Sequence, residues 1–419
     1  MGENNEELKA LHDPYAALRS RDYRLYACGS MAAVLGQQVQ AVAVGWELYE
    51  RTHSTLLLGW VGLVQALPPI LLSLPAGQVA DRYDRQRVIM VAQTVVALAA
   101  LGLSLLSALH GAVMLIYGCL LISALARAFS GPANSALLPQ LVPPAALANA
   151  VTWRSSWFQV GSVIGPALGG LVIAWQKSAA FAYVLTVACA FSFLLFTAAL
   201  RPQYRPPARA KEAISFRSLV GGLSFIWSNQ IILATITLDL FAVLLGGATT
   251  LLPVYAKDIL HVGPVGLGWL RAAPSVGALA MAIVLAYLPP MRRAGLTLLL
   301  AVSGFGVATI VFGLSHNFYL SLAMLALTGV FDNISVVVRS TLLQLLTPDA
   351  MRGRVLAVNF VFVSASNEIG GFESGLVAEW FGPILSVVGG GIGTLVVVLA
   401  VAWLWPQVRR LGSLSELAG

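Results

Sequence analysis

The sequence predicts an all-α membrane protein of twelve transmembrane helices, built as two pseudo-symmetric six-helix bundles. Three observations carry that prediction. The 419 residues are 58% hydrophobic and only 10% charged, whereas a soluble domain carries about 25% charged residues. Apolar runs of about 20 residues, long enough to cross a bilayer as helix, recur along almost the whole length. The second half of the chain also repeats part of the first.

Residues 1–24 are polar and charged. Arg19, Arg21 and Arg24 precede the first apolar run, which is expected to act as the insertion signal. Runs at 25–49, 55–80, 88–109, 112–133, 148–175 and 179–200 form an N-terminal bundle over 25–200. A linker follows at 201–229, opening with RPQYRPPARAKEAISFR, rich in proline and basic residues. Residues 216–227 are expected to form a short interfacial helix. Runs at 230–255, 264–288, 295–314, 318–346, 355–380 and 384–405 form a C-terminal bundle over 230–405, and 406–419 is a tail. Helices are expected because these runs are too long and too uniformly apolar for barrel strands.

The repeat has a register of 205 residues. NSALLPQLVPPAALANAV from Asn134 lies over RSTLLQLLTPDAMRGRVL from Arg339, and the match runs without a gap to Trp175 over Trp380. Pro143, Gly165, Gly170 and Trp175 recur in register. The repeated segments cross the membrane in the same direction, so the duplication is parallel. Parallel halves with a site near the midplane are a transporter architecture.

With the N-terminus in the cytoplasm, only Arg51, Lys177 and Lys257 of the 25 Lys and Arg fall on the opposite side. Arg127, Arg154, Arg271 and Arg339 lie within spans. Both termini, the linker and the tail are therefore expected on the cytoplasmic side of a cytoplasmic (inner) membrane. A basic face beside anionic lipid accounts for the net charge of +7, so no nucleic-acid partner is expected. Cys28, Cys119 and Cys189 are scattered among the spans, which suggests neither a disulfide framework nor a metal site. No phosphate-binding loop or nucleophile constellation is visible, so neither enzyme activity nor a cofactor is expected.

GQVADRYDRQR, residues 77–87, joins the second and third spans. It resembles the loop motif of the major facilitator superfamily, G-x-L-A-D-R-x-G-R-(R/K)-R. Gly77, Asp81, Arg82, Arg85 and Arg87 match, and Asp84 replaces the second glycine. The physical logic is a gate latch, in which Asp81 meets a helix N-terminus or an arginine and holds the halves together in one state. The blander reading is a charged loop serving topology alone. Ala286 stands at the repeat-equivalent position, so the latch occurs once. GSVIGPALGG, residues 161–170, matches G-x-x-x-G-P-x-x-G-G at Gly161, Gly165, Pro166, Gly169 and Gly170. In that superfamily this motif marks antiporters. Its glycines permit close helix approach and its proline bends the span. RAFSG, residues 127–131, resembles R-x-x-Q-G of the same exporters, with Ser130 in place of Gln. Arg127 would organise a proton relay or contact the loop, or else snorkel to the surface.

Together with LRSRDYRLYACG and WELYERTHSTLLLGWVGLVQALPPILLSLPA, these stretches resemble the enterobactin-exporter-like and macrolide-efflux-like branch. The superfamily resemblance covers the whole chain and implies the major facilitator fold. The branch implies proton-coupled export of a bulky, partly apolar small molecule, siderophore or drug-like, by alternating access. One chain holds both halves, so a monomer suffices.

Charges inside spans are costly, about 2.5–3.5 kcal/mol each on insertion scales, and mark function. NEIGGFESGL, residues 367–376, carries two glutamates in the eleventh span. Five residues turn a helix by about 500°, leaving Glu368 and Glu373 about 140° apart. One can face the cavity while the other faces a neighbour, unless Gly370 and Gly371 break the span. Glu368, beside Asn367, is the expected cavity residue, with a satisfied structural carboxylate as the alternative. Asp239 and Asp332 lie midway through the seventh and tenth spans, and Arg339 follows Asp332 on nearly the same face. Asp332 lies over Arg127 in the repeat, which suggests a pair across the two halves. Proton-coupling candidates are therefore Glu368, Asp239, Asp332 and Glu373, with Arg127 and Arg339 as gate residues. Gln37, Gln40, Trp157 and Asn367 are cavity candidates, although Trp153 and Trp157 also suit interfacial packing. An importer or facilitator, a metal or lipid carrier, and a non-transporting receptor or scaffold are the rival readings.

Overall fold

A computed structural model describes residues 13–201, 216–288, 291 and 293–412. Parts of the expected N-terminal segment, linker and tail, at 1–12, 202–215 and 413–419, lie outside the described residues. No strand occurs among the described residues. The first half contains α1 (Arg21–Thr52), α2 (Thr55–Leu71), α3 (Ser73–Arg82), α4 (Arg85–Ala108), α5 (Val113–Leu141), α6 (Leu147–Gln176) and α7 (Ala180–Ala198). Helix α8 (Phe216–Ser228) leads into α9 (Gln230–Leu245), α10 (Gly263–Tyr287), α11 (Ala294–Leu314), α12 (Phe318–Leu346), α13 (Asp349–Phe381) and α14 (Pro383–Leu404). Among the described residues, eleven helical runs are long and apolar enough to cross a membrane, and α2 with α3 makes a twelfth span.

Side-chain caps set several helix starts. Ser54 Oγ accepts the Leu57 N–H at the start of α2, and Asp84 Oδ1 accepts that of Arg87 at the start of α4. Asn229 and Asn317 cap α9 and α12 in the same way. His53 closes α1 at φ 49°, and two further residues with positive φ close helices: Lys177 ends α6 at φ 50° and Gly382 ends α13 at φ 89°. These two positions are register-equivalent, and α5 and α12 begin and end in register. The duplication thus extends to helix ends.

Two predicted spans differ from continuous helices. The second bends by 56° between α2 and α3. Pro68 and Pro69 inside α2 and Pro75 in α3 lack the N–H groups that would carry the helix straight through. The seventh stops at Leu245, passes Gly246 and Gly247, and resumes as short helical turns through Ile259. The break is where α13 crosses it: a Cβ on Gly247 would lie 2.6 Å from the Gly370 carbonyl oxygen. By contrast α13 runs unbroken through Gly370 and Gly371.

The halves meet along two symmetry-related crossings, α6 on α10 and α2 on α13. At the first, a Cβ on Gly170 would collide with the Pro264 carbonyl and lie 3.1 Å from Gly268 Cα. At the second, a Cβ on Gly375 would lie 2.7 Å from the Thr55 carbonyl oxygen and 2.9 Å from Gly59 Cα. Both crossings lie toward the end of the bundle away from the chain termini, called here the far end. Backbone contact this close needs glycine.

Candidate functional site

Three cavities lie along the junction of the halves. The first, about 500 Å³, is walled mainly by the first half and includes Gln37, Gln93, Asn134, Arg154 and Trp157. The second, about 460 Å³, belongs mainly to the second half and includes Asp239, Asp332, Asn333, Arg339 and Asn367. The third, about 190 Å³, is built by both halves from Gln37, Gln40, Gln65, Arg127, Arg271 and Glu368, and forms the apex. Gln37, Gln40 and Arg127 line both the first cavity and the apex, so the two adjoin. From there the first cavity runs along α1 to Tyr26 and along α6 to Arg154, toward the end bearing the termini.

Glu368 is set against α2: a Cβ on Gly62 would lie 3.0 Å from its Oε2. A glycine on α2 leaves the space the carboxylate occupies. Arg127 donates from Nη2 to Gln65 Oε1 at 3.0 Å, which turns it into the apex. Glu373, on another face of α13, is half-buried and is not part of the apex lining.

Asp239 and Arg339 form an ion pair between α9 and α12, with both side chains almost wholly buried at 6% and 7% exposure. The expected juxtaposition of Asp332 with Arg127 is absent: Asp332 lines the second-half cavity, whereas Arg127 lines the apex and the first-half cavity. Asp332 instead shares its cavity with the Asp239–Arg339 pair. Sequence register gives symmetry-equivalent positions, and these lie one in each bundle rather than against each other.

Gln40 is buried at 4% exposure. Asn367 lines the second-half cavity and donates to the Val363 carbonyl of its own helix at 2.8 Å. Trp157 lines the first cavity and stacks on Trp153 with ring centroids 5.6 Å apart. Trp153 donates its indole N–H to the Pro14 carbonyl. The antiporter-motif glycines serve two neighbours. Gly161, Gly165 and Gly169 approach Val34, Gln38 and Val39 of α1, while Gly170 and the Pro166 carbonyl meet α10.

At the end bearing the termini, Asp81 and Arg82 are exposed and make no ion pair among the described residues. Arg85 donates to the Ala136 carbonyl within its own half, Arg87 is exposed, and nothing lies within 4 Å of a Cβ on Gly77. Among the described residues, Asp81, Arg82, Arg85 and Arg87 make no ion pair across the halves.

The far end carries bonds that the motifs did not indicate. Glu379 Oε2 accepts the N–H groups of Thr55 and Leu56 at 2.9 and 3.1 Å, and the hydroxyls of Ser54 and Thr55 at 3.1 and 3.0 Å. A carboxylate from α13 thus caps the N-terminus of α2 across the halves, favoured by the helix dipole. Lys257 Nζ pairs with Glu50 at 2.9 Å, and the Tyr49 hydroxyl donates to Asp258. Glu47 supports this end from within the first half, pairing with Arg51 at 2.6 Å and accepting from Tyr183 at 2.8 Å. An acid at the far end of the eleventh span was the only sequence sign of the Glu379 contact.

Glu379→Ala is expected to remove about 1 kcal/mol of capping from the closed far end. Electron-spin distance measurements between labels at His53 and His261 would then show the separated population raised about fivefold. An unchanged distribution would mean that the cap does not hold this end shut.

A family model described as transmembrane secretion effector matches residues 12–413. The chain is 27% identical over 389 residues to the enterobactin exporter EntS of Shigella boydii serotype 4 (strain Sb227), covering 93% of this chain and 92% of that one. It is 28% identical, with the same coverage, to the enterobactin exporter EntS of Citrobacter koseri. Among solved structures it resembles the nucleoside transporter NupG, with a TM-score of 0.73 at 12% identity, over 93% of this chain and 100% of that one. A bacterial homologue of the human lysosomal transporter Spinster matches with a TM-score of 0.70 at 14% identity, over 95% of this chain and 98% of that one.

Proposed function

The chain belongs to the transmembrane secretion effector family of major facilitator transporters, on its enterobactin-exporter-like branch, and we propose that it exports a bulky, partly apolar small molecule in exchange for protons. One observation carries this reading: the halves jointly enclose an apex with ionisable side chains, bonded together at the far end and adjoining a cavity that runs the other way.

The distribution of Lys and Arg supports a cytoplasmic side for both termini in an inner membrane. The cavity then opens to the cytoplasm. Cargo enters there, the far-end bonds give way, and the Asp81 loop engages as the cytoplasmic end closes. Each state trades one set of inter-half bonds for another, as a two-state switch requires. Glu368 at the apex, Asp239 and Asp332 in the second-half cavity, and Glu373 on α13 are the carboxylates proposed to take up the proton. One chain supplies both halves, and the unit is proposed to be a monomer.

The test is cargo-driven proton movement in proteoliposomes under an imposed pH gradient, scanning siderophores, macrolides and lipophilic dyes. The wild type is expected to couple one of these compounds to proton flux, and Glu368→Gln to abolish that flux while folding normally. Transport without proton movement in the wild type would overturn the exchange reading. Unaltered coupling in Glu368→Gln would remove Glu368 from it.

A further inference from the structure

The apex holds more positive than negative charge. Arg127 from α5 and Arg271 from α10 line it, one from each half, and Glu368 is the sole carboxylate in the lining. Glu368 acts electrostatically on both guanidiniums. Neither arginine forms an ion pair with it, or with any other acid, among the described residues. Arg127 has a neutral partner in Gln65. Arg271 makes no side-chain hydrogen bond among the described residues. The remaining polar groups, Gln37, Gln38, Gln40, Gln65 and Thr250, carry no charge.

Two guanidiniums facing one carboxylate leave one positive charge surplus. At mid-span depth, far from bulk counter-ions, an uncompensated cation is unfavourable and calls for a partner. The described residues supply none, and an anionic group on the cargo would be such a partner. A guanidinium presents a planar fork of N–H donors matched to paired oxygen acceptors. The apolar wall beside the apex, with Trp157 and Phe158, suits the bulky remainder of such a molecule.

We infer that the cargo carries an anionic oxygen group, a carboxylate or phenolate, that binds between Arg271 and Arg127, and that Arg271 sets the preference for negative charge. The inference rests on the export reading only in taking this cavity as the cargo's path.

The test compares two molecules of the same shape, 2-naphthoate and 2-naphthamide, by equilibrium titration of the full chain in nanodiscs of phosphatidylcholine, which presents no anionic lipid. The wild type is expected to bind naphthoate at least about tenfold more tightly than naphthamide, as a charge-assisted contact supplies. Arg271→Gln is expected to bring the two affinities together, and an unchanged far-ultraviolet circular dichroism spectrum shows that the variant is folded. Arg271→Lys should keep part of the preference. Absent naphthoate binding, equal affinities in the wild type, or an undiminished preference in Arg271→Gln would each overturn the proposal. No gradient is applied, so failure of proton-driven export would leave this result standing, and failure here would leave export untouched.

Discussion

Arg339→Leu is expected to lower the unfolding free energy by about 3–5 kcal/mol, the loss that follows when one partner of a buried ion pair is removed. The pair joins α9 to α12, and both side chains are almost wholly out of solvent. Removing the guanidinium leaves Asp239 and Asp332 in one cavity with no cation in its lining. The reverse substitution, Asp239→Leu, leaves Arg339 in a cavity that still holds Asp332, so its loss should be smaller. Asp239→Asn combined with Arg339→Gln removes both charges together and should recover part of the stability. Denaturant unfolding of the purified protein in a fixed detergent checks all three. A loss under about 1 kcal/mol for Arg339→Leu would show that water in the cavity, rather than Asp239, satisfies the arginine.

Gly170→Val is the second large effect. Any Cβ at this position collides with the Pro264 carbonyl, and backbone on α10 cannot swing aside as a flexible side chain would. Overpacking of this kind costs about 1–3 kcal/mol. Here the strain falls on the far-end-closed state, because α6 and α10 make this crossing where the halves meet. The closed population should drop by about 5- to 150-fold relative to the separated one. Cargo transport should be lost while the helical content is kept. Gly375→Val repeats the experiment at the symmetry-related crossing, against the Thr55 carbonyl and Gly59. Distances between spin labels at His53 and His261 report the shift. Unchanged distances in both variants would show that these crossings do not set the closed state.

Much of the fold was legible because bilayer thickness constrains it. Apolar run length identifies spans regardless of their neighbours, and the duplication showed in register before any contact was known. Register also survives at detail: α5 and α12 share their ends, and Lys177 and Gly382 both close helices with positive φ. Interruptions were harder to see. Gly246 and Gly247 look like any other small residues in an apolar span, and their role appears only where Gly370 approaches.

The candidate site was legible in its faces and not in its partners. Helix α13 is continuous through both glutamates, and of the two it is Glu368 that lines the apex. Helical periodicity says which residues share a face, but it does not say which helix that face meets. Arg339 therefore seemed allied to Asp332 on its own helix, whereas it pairs with Asp239 on α9. The far-end contacts were invisible for the same reason. Glu379 lies more than 300 positions from Thr55, with |i−j| of 324, and no local pattern links them. Arg271 was countable as a charge within a span, but its significance needed Arg127 and Glu368 beside it.

Sidedness of the apex is the most direct test of the account. A single cysteine placed by Gln37→Cys, in a chain whose Cys28, Cys119 and Cys189 are replaced by alanine, would be challenged with a membrane-impermeant thiol reagent from either side of oriented vesicles. Labelling is expected from the termini side at rest, and from the far side only when cargo and a proton gradient are supplied. Equal labelling from both sides at rest, or none from the far side under any gradient, would contradict it.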